Sequence, residues 1–234
     1  MISGLQKMTL LDFPGKVACT VFLQGCNYRC PFCHNSDLLP GKGEELMTMD
    51  DFLAFLKKRQ GLLDGVCVSG GEPTLRKELP ALLEGINALG YAVKLDTNGS
   101  NPGILKDLVQ KGLVDYVAMD VKNSPGRYAE TVGVSRLDLG PIEESLRFLL
   151  EGNVNYELRT TVVKPLHDGA SIQDMGAWLG GLVPGRKPLR LFLQKFVDRE
   201  SVLFSGLSPA LPEEMRALSE LLTPFCELVS IRGE

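Results

Sequence analysis

The chain has 234 residues, 44% hydrophobic and 23% charged, an ordinary composition for a globular protein with a sizeable core. Lysine plus arginine (25) against aspartate plus glutamate (29) leaves a formal charge of -4, and no basic stripe occurs, so duplex nucleic acid is excluded as the expected partner. No stretch reaches the roughly 18 consecutive apolar residues of a membrane span, so no membrane association is expected.

The first residues, MISGLQKMTLLDFPGK, hold a short apolar patch broken by Asp12 and Pro14. They lack the basic and long apolar regions of a signal peptide, and a cytoplasmic location is expected. In a reducing cytosol, six cysteines point to metal binding or catalysis rather than disulfides.

The residues that follow alternate between two periodicities. KVACTVFLQ (16–24) is β-branched and apolar, the pattern of a buried strand. TMDDFLAFLKKRQ (48–60) predicts a helix capped by Thr48, with Asp51 completing a capping box. Strands are predicted over 65–70, 91–99, 116–123, 156–165 and 189–196. The helices between them fall over 77–90, 102–112, 140–152 and 171–182, with Pro102 in the first turn of its helix. A helix over 212–225 and a short strand within 226–232 complete the chain.

Strands alternating with helices predict an α/β fold with a parallel sheet. Six units suit a partial (β/α)6 TIM-like barrel in one domain, 1–234, with an open doubly wound sheet as the alternative. The unusual residues fall after the predicted strands. The segment GCNYRCPFCHNSD (25–37) follows the first, SGGEP (69–73) ends the second and DTNG (96–99) the third. MDVKN (119–123), KP (164–165) and QKF (194–196) end the fourth, fifth and sixth. The C-terminal ends of parallel strands form the ligand-binding face of such folds, so these signals point to one site there.

Cys26, Cys30 and Cys33 have the spacing C-x3-C-x2-C. A four-iron cluster takes four thiolates when closed. Three would leave one iron open, and an open position marks a catalytic centre. The alternative is zinc, with His34 or Cys19 as fourth ligand. His34 would have to turn onto the metal from the position next to Cys33, and Cys19 lies in a strand where a buried thiol is expected.

CNYRCPFCHN, followed by SGGEP, DTNG and DVK at strand ends, resembles the radical S-adenosylmethionine superfamily. Within it, the opening GLQKMTLLDFPGKVACTVFLQGCNYRCPFCHN resembles the activating enzymes of glycyl-radical enzymes. It is similar to anaerobic ribonucleoside-triphosphate reductase activating proteins and to pyruvate formate-lyase activating enzyme.

The resemblance implies a [4Fe-4S] cluster on Cys26, Cys30 and Cys33, held by a loop at 25–37. S-adenosylmethionine would chelate the open iron. Reductive cleavage to a 5′-deoxyadenosyl radical is implied, as is hydrogen abstraction from a glycine of a partner glycyl radical enzyme. Flavodoxin or ferredoxin would be the electron donor.

Residue roles are implied in the same way. Gly70, Gly71, Glu72 and Pro73 resemble the segment contacting the cofactor's amino group; glycine permits close backbone approach. Asp96, Thr97 and Asn98 resemble a segment that lines the site and helps hold a monovalent cation. Asp120 and Lys122 resemble a pair near the cofactor, and two residues apart on a strand they face one side. Arg159 is a candidate carboxylate partner, and Phe32 is placed to pack the adenine or shield the cluster. His34 is suggestive by position. Gln194, Lys195 and Phe196 occupy a place where a histidine would match pyruvate formate-lyase activating enzyme better. His167 is expected at the surface, and Cys19, Cys67 and Cys226 stand alone. Two other readings are a small-molecule enzyme on the same scaffold, similar to 7-carboxy-7-deazaguanine synthase, and a zinc-binding interaction module.

Overall fold

The computed structural model describes residues 2–39 and 45–233. Its strands are β1 (Ile2–Thr9), β2 (Ala18–Leu23), β3 (Gly65–Gly70), β4 (Ala92–Thr97), β5 (Tyr116–Asp120), β6 (Asn155–Lys164), β7 (Leu191–Lys195), β8 (Ser208–Pro209) and β9 (Val229–Arg232). The helices are α1 (Met49–Lys57), α2 (Leu79–Ala88), α3 (Pro102–Gln110), α4 (Tyr128–Thr131), α5 (Gly140–Leu150), α6 (Gly169–Gly181) and α7 (Pro212–Leu222). The strand order is β1-β2-β3-β4-β5-β6-β7-β9, with β8 on β6, in a mostly parallel sheet that does not close. The fold is thus the expected α/β arrangement, a partial barrel.

By its contacts the chain divides into two compact units. The first comprises Met1–Asn27, Asp37–Thr97 and Asn101–Ala118. Its strands β2, β3 and β4 are parallel and in register, with Leu23 opposite Gly70 and Val68 opposite Leu95. Ala18, Cys19, Val21, Val66, Val68, Val93 and Leu95 are wholly buried, the mark of strands covered on both faces. α1 starts as predicted: Thr48 Oγ1 accepts from the Asp51 amide at 3.1 Å, and Asp51 accepts back from the Thr48 amide at 3.3 Å. Phe52 and Leu56, four apart, then bury one helix face.

The second unit comprises Tyr28–Ser36, Asn98–Ser100 and Met119–Glu234. Here β6, β7 and β9 are parallel, and β8 pairs antiparallel with the end of β6. Leu158, Val162, Leu193, Met175, Leu179 and Leu222 form the core between these strands and α6 and α7.

The short strand expected within 226–232 is β9, and its Arg232 matters. Its guanidinium donates twice to the buried Glu157 carboxylate, at 2.9 and 2.8 Å, and lies 3.4 Å over the Phe192 ring. Arg232→Ala takes two charge-assisted hydrogen bonds from that carboxylate and is expected to cost about 1–3 kcal/mol, read as a lower urea midpoint at unchanged m-value.

Among the described residues, three labelled elements escaped the sequence: β1, α4 and the two-residue β8. β1, within the stretch read only as an apolar patch, pairs antiparallel with β2 through two register shifts. Those irregularities and its mixed burial erase the alternation by which an edge strand is recognised. α4 is a single turn, too short for a 3.6-residue period to show.

Candidate active site

In the first unit the site grows from the ends of β2, β3 and β4. Because Leu23 and Gly70 are in register, the chain leaves both strands side by side. The Gly71 amide donates to the Leu23 carbonyl at 3.0 Å, and the Glu72 amide to the Gly25 carbonyl at 2.7 Å. The start of the cysteine loop, Gly25 and Cys26, is thereby pinned to the glycine turn. A Cβ on Gly70, whose φ is +129°, would stand 2.2 Å from the Leu23 carbonyl oxygen. One on Gly71 would stand 2.1 Å from that of Gly25. The sequence suggested glycines making room for a ligand; the structure shows the chain's own backbone requiring them.

Glu72 is wholly buried. Its Oε1 accepts from the Thr74 amide at 3.1 Å, the Thr74 hydroxyl at 2.6 Å and the Thr97 hydroxyl at 2.8 Å. This carboxylate ties the end of β3 to the end of β4, and it caps the 3-10 turn Pro73–Leu75. Pro73, in that turn, is buried as well. Asp96 is half-buried, and its Oδ1 accepts from Lys94 Nζ at 2.5 Å. Sequence reasoning missed Lys94. The signal was there: a lysine inside an apolar strand, two residues before an aspartate and so on its face.

In the second unit the rest of the cysteine loop is anchored by the Arg29 amide, which donates to the Val132 carbonyl at 2.9 Å. The Cys33 amide donates to the Cys30 carbonyl at 3.1 Å, folding those two cysteines into one turn. Cys30 is buried and Cys33 half-buried; none of the six cysteines is in a disulfide. Phe32 is buried and meets His167 edge-on, centroids 6.5 Å apart. His34 stacks on Phe196 at 5.6 Å, with its Nε2 2.7 Å from the Val197 carbonyl. Gln194 and Lys195 are half-buried at the end of β7, and Phe196 is wholly buried.

Asp120 ends β5 between two cations. Arg159 Nε donates to its Oδ1 at 2.8 Å and Lys122 Nζ to its Oδ2 at 2.9 Å. Burial works against the Lys122 charge, but the Asp120 carboxylate beside it overcomes this and holds the ammonium above its ordinary pKa. Asn98 forms a local turn, its Oδ1 accepting from the Ser100 amide at 2.9 Å.

His167 corrects an expectation: it is 3% exposed, not a surface residue. Its Nε2 lies 2.8 Å from the Lys122 carbonyl and its Nδ1 3.1 Å from the Val163 amide. Burial lowers its pKa, so the ring is a neutral brace for the Lys122 segment. The loop position concealed this, since its partners are distant in sequence or backbone atoms. Among the described residues, no three His, Cys, Asp or Glu side chains converge as ligands of a single metal ion.

The profile of the Radical SAM superfamily matches residues 20–177. A protein of Methanocaldococcus jannaschii, provisionally named a glycyl-radical enzyme activating enzyme, is 31% identical over 99% of this chain and 95% of its own length. The pyruvate formate-lyase-activating enzyme of Clostridium pasteurianum is 32% identical over 52% of each chain. Among solved structures, a domain of pyruvate-formate lyase-activating enzyme from Bacteroides vulgatus matches with a TM-score of 0.58 at 20% identity, over 72% of this chain and 99% of that one. Streptococcus suis SuiB matches with a TM-score of 0.69 at 15% identity, over 92% of this chain and 48% of its own, a likeness of fold. The chain is an enzyme of the radical SAM superfamily and belongs among the activating enzymes of glycyl-radical enzymes.

Proposed function

We propose that the chain acts as one radical SAM domain that installs a glycyl radical on a partner enzyme of the anaerobic ribonucleotide reductase or pyruvate formate-lyase type. The observation that carries the reading is the backbone latch between Gly25 and Glu72, which seats the start of the cysteine loop on the glycine turn after β3.

The residues suit the groups this chemistry needs. Cys26, Cys30 and Cys33 are reduced cysteines on one short loop, and the covalent chain alone keeps the Cα atoms of Cys26 and Cys30 within about 14 Å. A cluster takes one thiolate on each of three irons, whereas zinc draws all its ligands onto one point. Three cysteines on one short loop suit a cluster with one open iron. When bound, the cluster and S-adenosylmethionine supply one-electron cleavage and hydrogen abstraction; the protein supplies placement.

Backbone carbonyls of the Gly70–Gly71 turn would accept from the cofactor's ammonium, with Glu72 and Pro73 holding that turn in shape. Asp96 and Thr97, at the end of β4, would border the same cofactor. Asp120 presents a carboxylate whose orientation Arg159 and Lys122 set. Phe32 shields the loop from water. Flavodoxin or ferredoxin delivers the electron.

Asp120→Asn is expected to retain full iron content. It should weaken S-adenosylmethionine binding about tenfold, or about 1.4 kcal/mol, in anaerobic calorimetry. Unchanged affinity would remove Asp120 from the cofactor site. The function itself is tested by mixing the reduced, reconstituted enzyme and S-adenosylmethionine with each candidate partner from the same organism. A glycyl-radical EPR signal on one of them is expected. A second reading rests on the 7-carboxy-7-deazaguanine synthase of Aquifex aeolicus, 36% identical over 33% of this chain. It would gain from turnover stimulated by a small heterocycle with no radical on any protein.

A further inference from the structure

We infer that the Lys94 ammonium is the resident cation of Asp96, a covalent stand-in for the monovalent ion expected there. The family resemblance assigns that ion to Asp96, Thr97 and Asn98, and within the first unit the Asp96 carboxylate already holds a cation. Asp96 Oδ1 accepts from Lys94 Nζ at 2.5 Å.

Lys94 is built for this place. It is 1% exposed, on a strand whose neighbouring residues Val93 and Leu95 are wholly buried. Strand alternation puts Lys94 and Asp96 on one face of β4. The β3–β4 register sets Lys94 opposite Cys67, and Nζ passes 3.7 Å from the Cys67 sulfur. The ammonium therefore lies near the strand's C-terminal end, against the carboxylate. A buried lysine is stable only when paired. A second cation at Asp96 would face a like charge a few ångströms away in a poorly screened setting. The tethered ammonium also loses no translational freedom in taking its position. Lys94 is thus a positioning residue that neutralises and orients Asp96 in every salt.

The inference rests on the proposed function only for its effect on cofactor binding, and the test separates the two. S-adenosylmethionine affinity of the reconstituted enzyme, and its melting temperature, are compared in sodium, potassium and choline chloride at equal ionic strength. An ion linked to the cofactor site changes affinity by about fivefold or more. The wild type is expected to show no such change. Lys94→Met should lose affinity in choline and regain it in sodium or potassium, and adding Asp96→Asn should abolish the recovery.

A wild type whose affinity falls about fivefold in choline, with that dependence lost in Asp96→Asn, overturns the inference. If Lys94→Met does not fold, the wild-type and Asp96→Asn comparison still decides. If no S-adenosylmethionine binds, the proposed function fails. Melting then reads the ion alone: stabilisation by sodium or potassium over choline that Asp96→Asn removes overturns the role of Lys94, and its absence upholds it.

Discussion

Replacing Cys30 with alanine is expected to remove the iron–sulfur cluster and reduce 5′-deoxyadenosine formation to background, with the fold retained. Cys30 lies in a loop held by backbone bonds, from the Arg29 amide to Val132 and from the Cys33 amide to Cys30 itself. Alanine keeps both. The loss of stability should stay within about 1 kcal/mol, in the range of substitutions that break no packing network. Iron content, visible absorption and low-temperature EPR of the reduced protein read the first effect, and thermal unfolding the second.

Cys19 and Cys226 are the controls. Burial pushes each thiol up to about 12, so neither is a ready thiolate at neutral pH. Alanine at either position should leave iron content unchanged. A Cys30→Ala protein that still binds four irons per chain and cleaves the cofactor would end the cluster assignment. A wild type that takes up zinc and refuses iron would do the same.

Gly71→Ala should be among the most damaging single-methyl additions in this chain. The added carbon would lie 2.1 Å from the Gly25 carbonyl oxygen, 2.6 Å from its carbon and 3.1 Å from Cys26 Cβ. No backbone can yield that far without breaking the 2.7 Å bond from the Glu72 amide to Gly25. The expected outcome is a cost of about 2–4 kcal/mol, in the range of severe overpacking and a lost buried hydrogen bond. The turn and the start of the cysteine loop would separate, so cluster occupancy should fall with stability. Gly103→Ala is the contrast: nothing stands within 4 Å of its Cβ, and it lies in the first turn of α3. It should be neutral or slightly stabilising. Equal unfolding midpoints and equal iron content for the two variants would show that the latch does not hold the loop.

The local patterns of the chain determined much of this protein. The β-branched run at 16–24 and the alternating strands and helices after it were legible because burial on two faces leaves near-continuous apolar strands. The α1 cap was legible because Thr48 and Asp51 interact within one turn. The cysteine spacing was legible for the same reason: ligands on one short loop are neighbours in sequence. Even the placement of SGGEP and DTNG at strand ends followed from counting elements.

What joined these segments was decided only in three dimensions. Glu72 reads as part of a turn, yet its carboxylate bonds to Thr97, 25 residues on. Arg159 reaches Asp120 across 39 residues, and His167 braces Lys122 across 45. Lys94 was visible as an oddity, but its role waited on the strand register that sets Cys67 beside it and the pleat that aims it at Asp96. Local propensity and spacing act over a few residues and survive in the sequence. Charge pairing and backbone contact between strand ends depend on sheet register, which arises only when distant segments bury their apolar faces together.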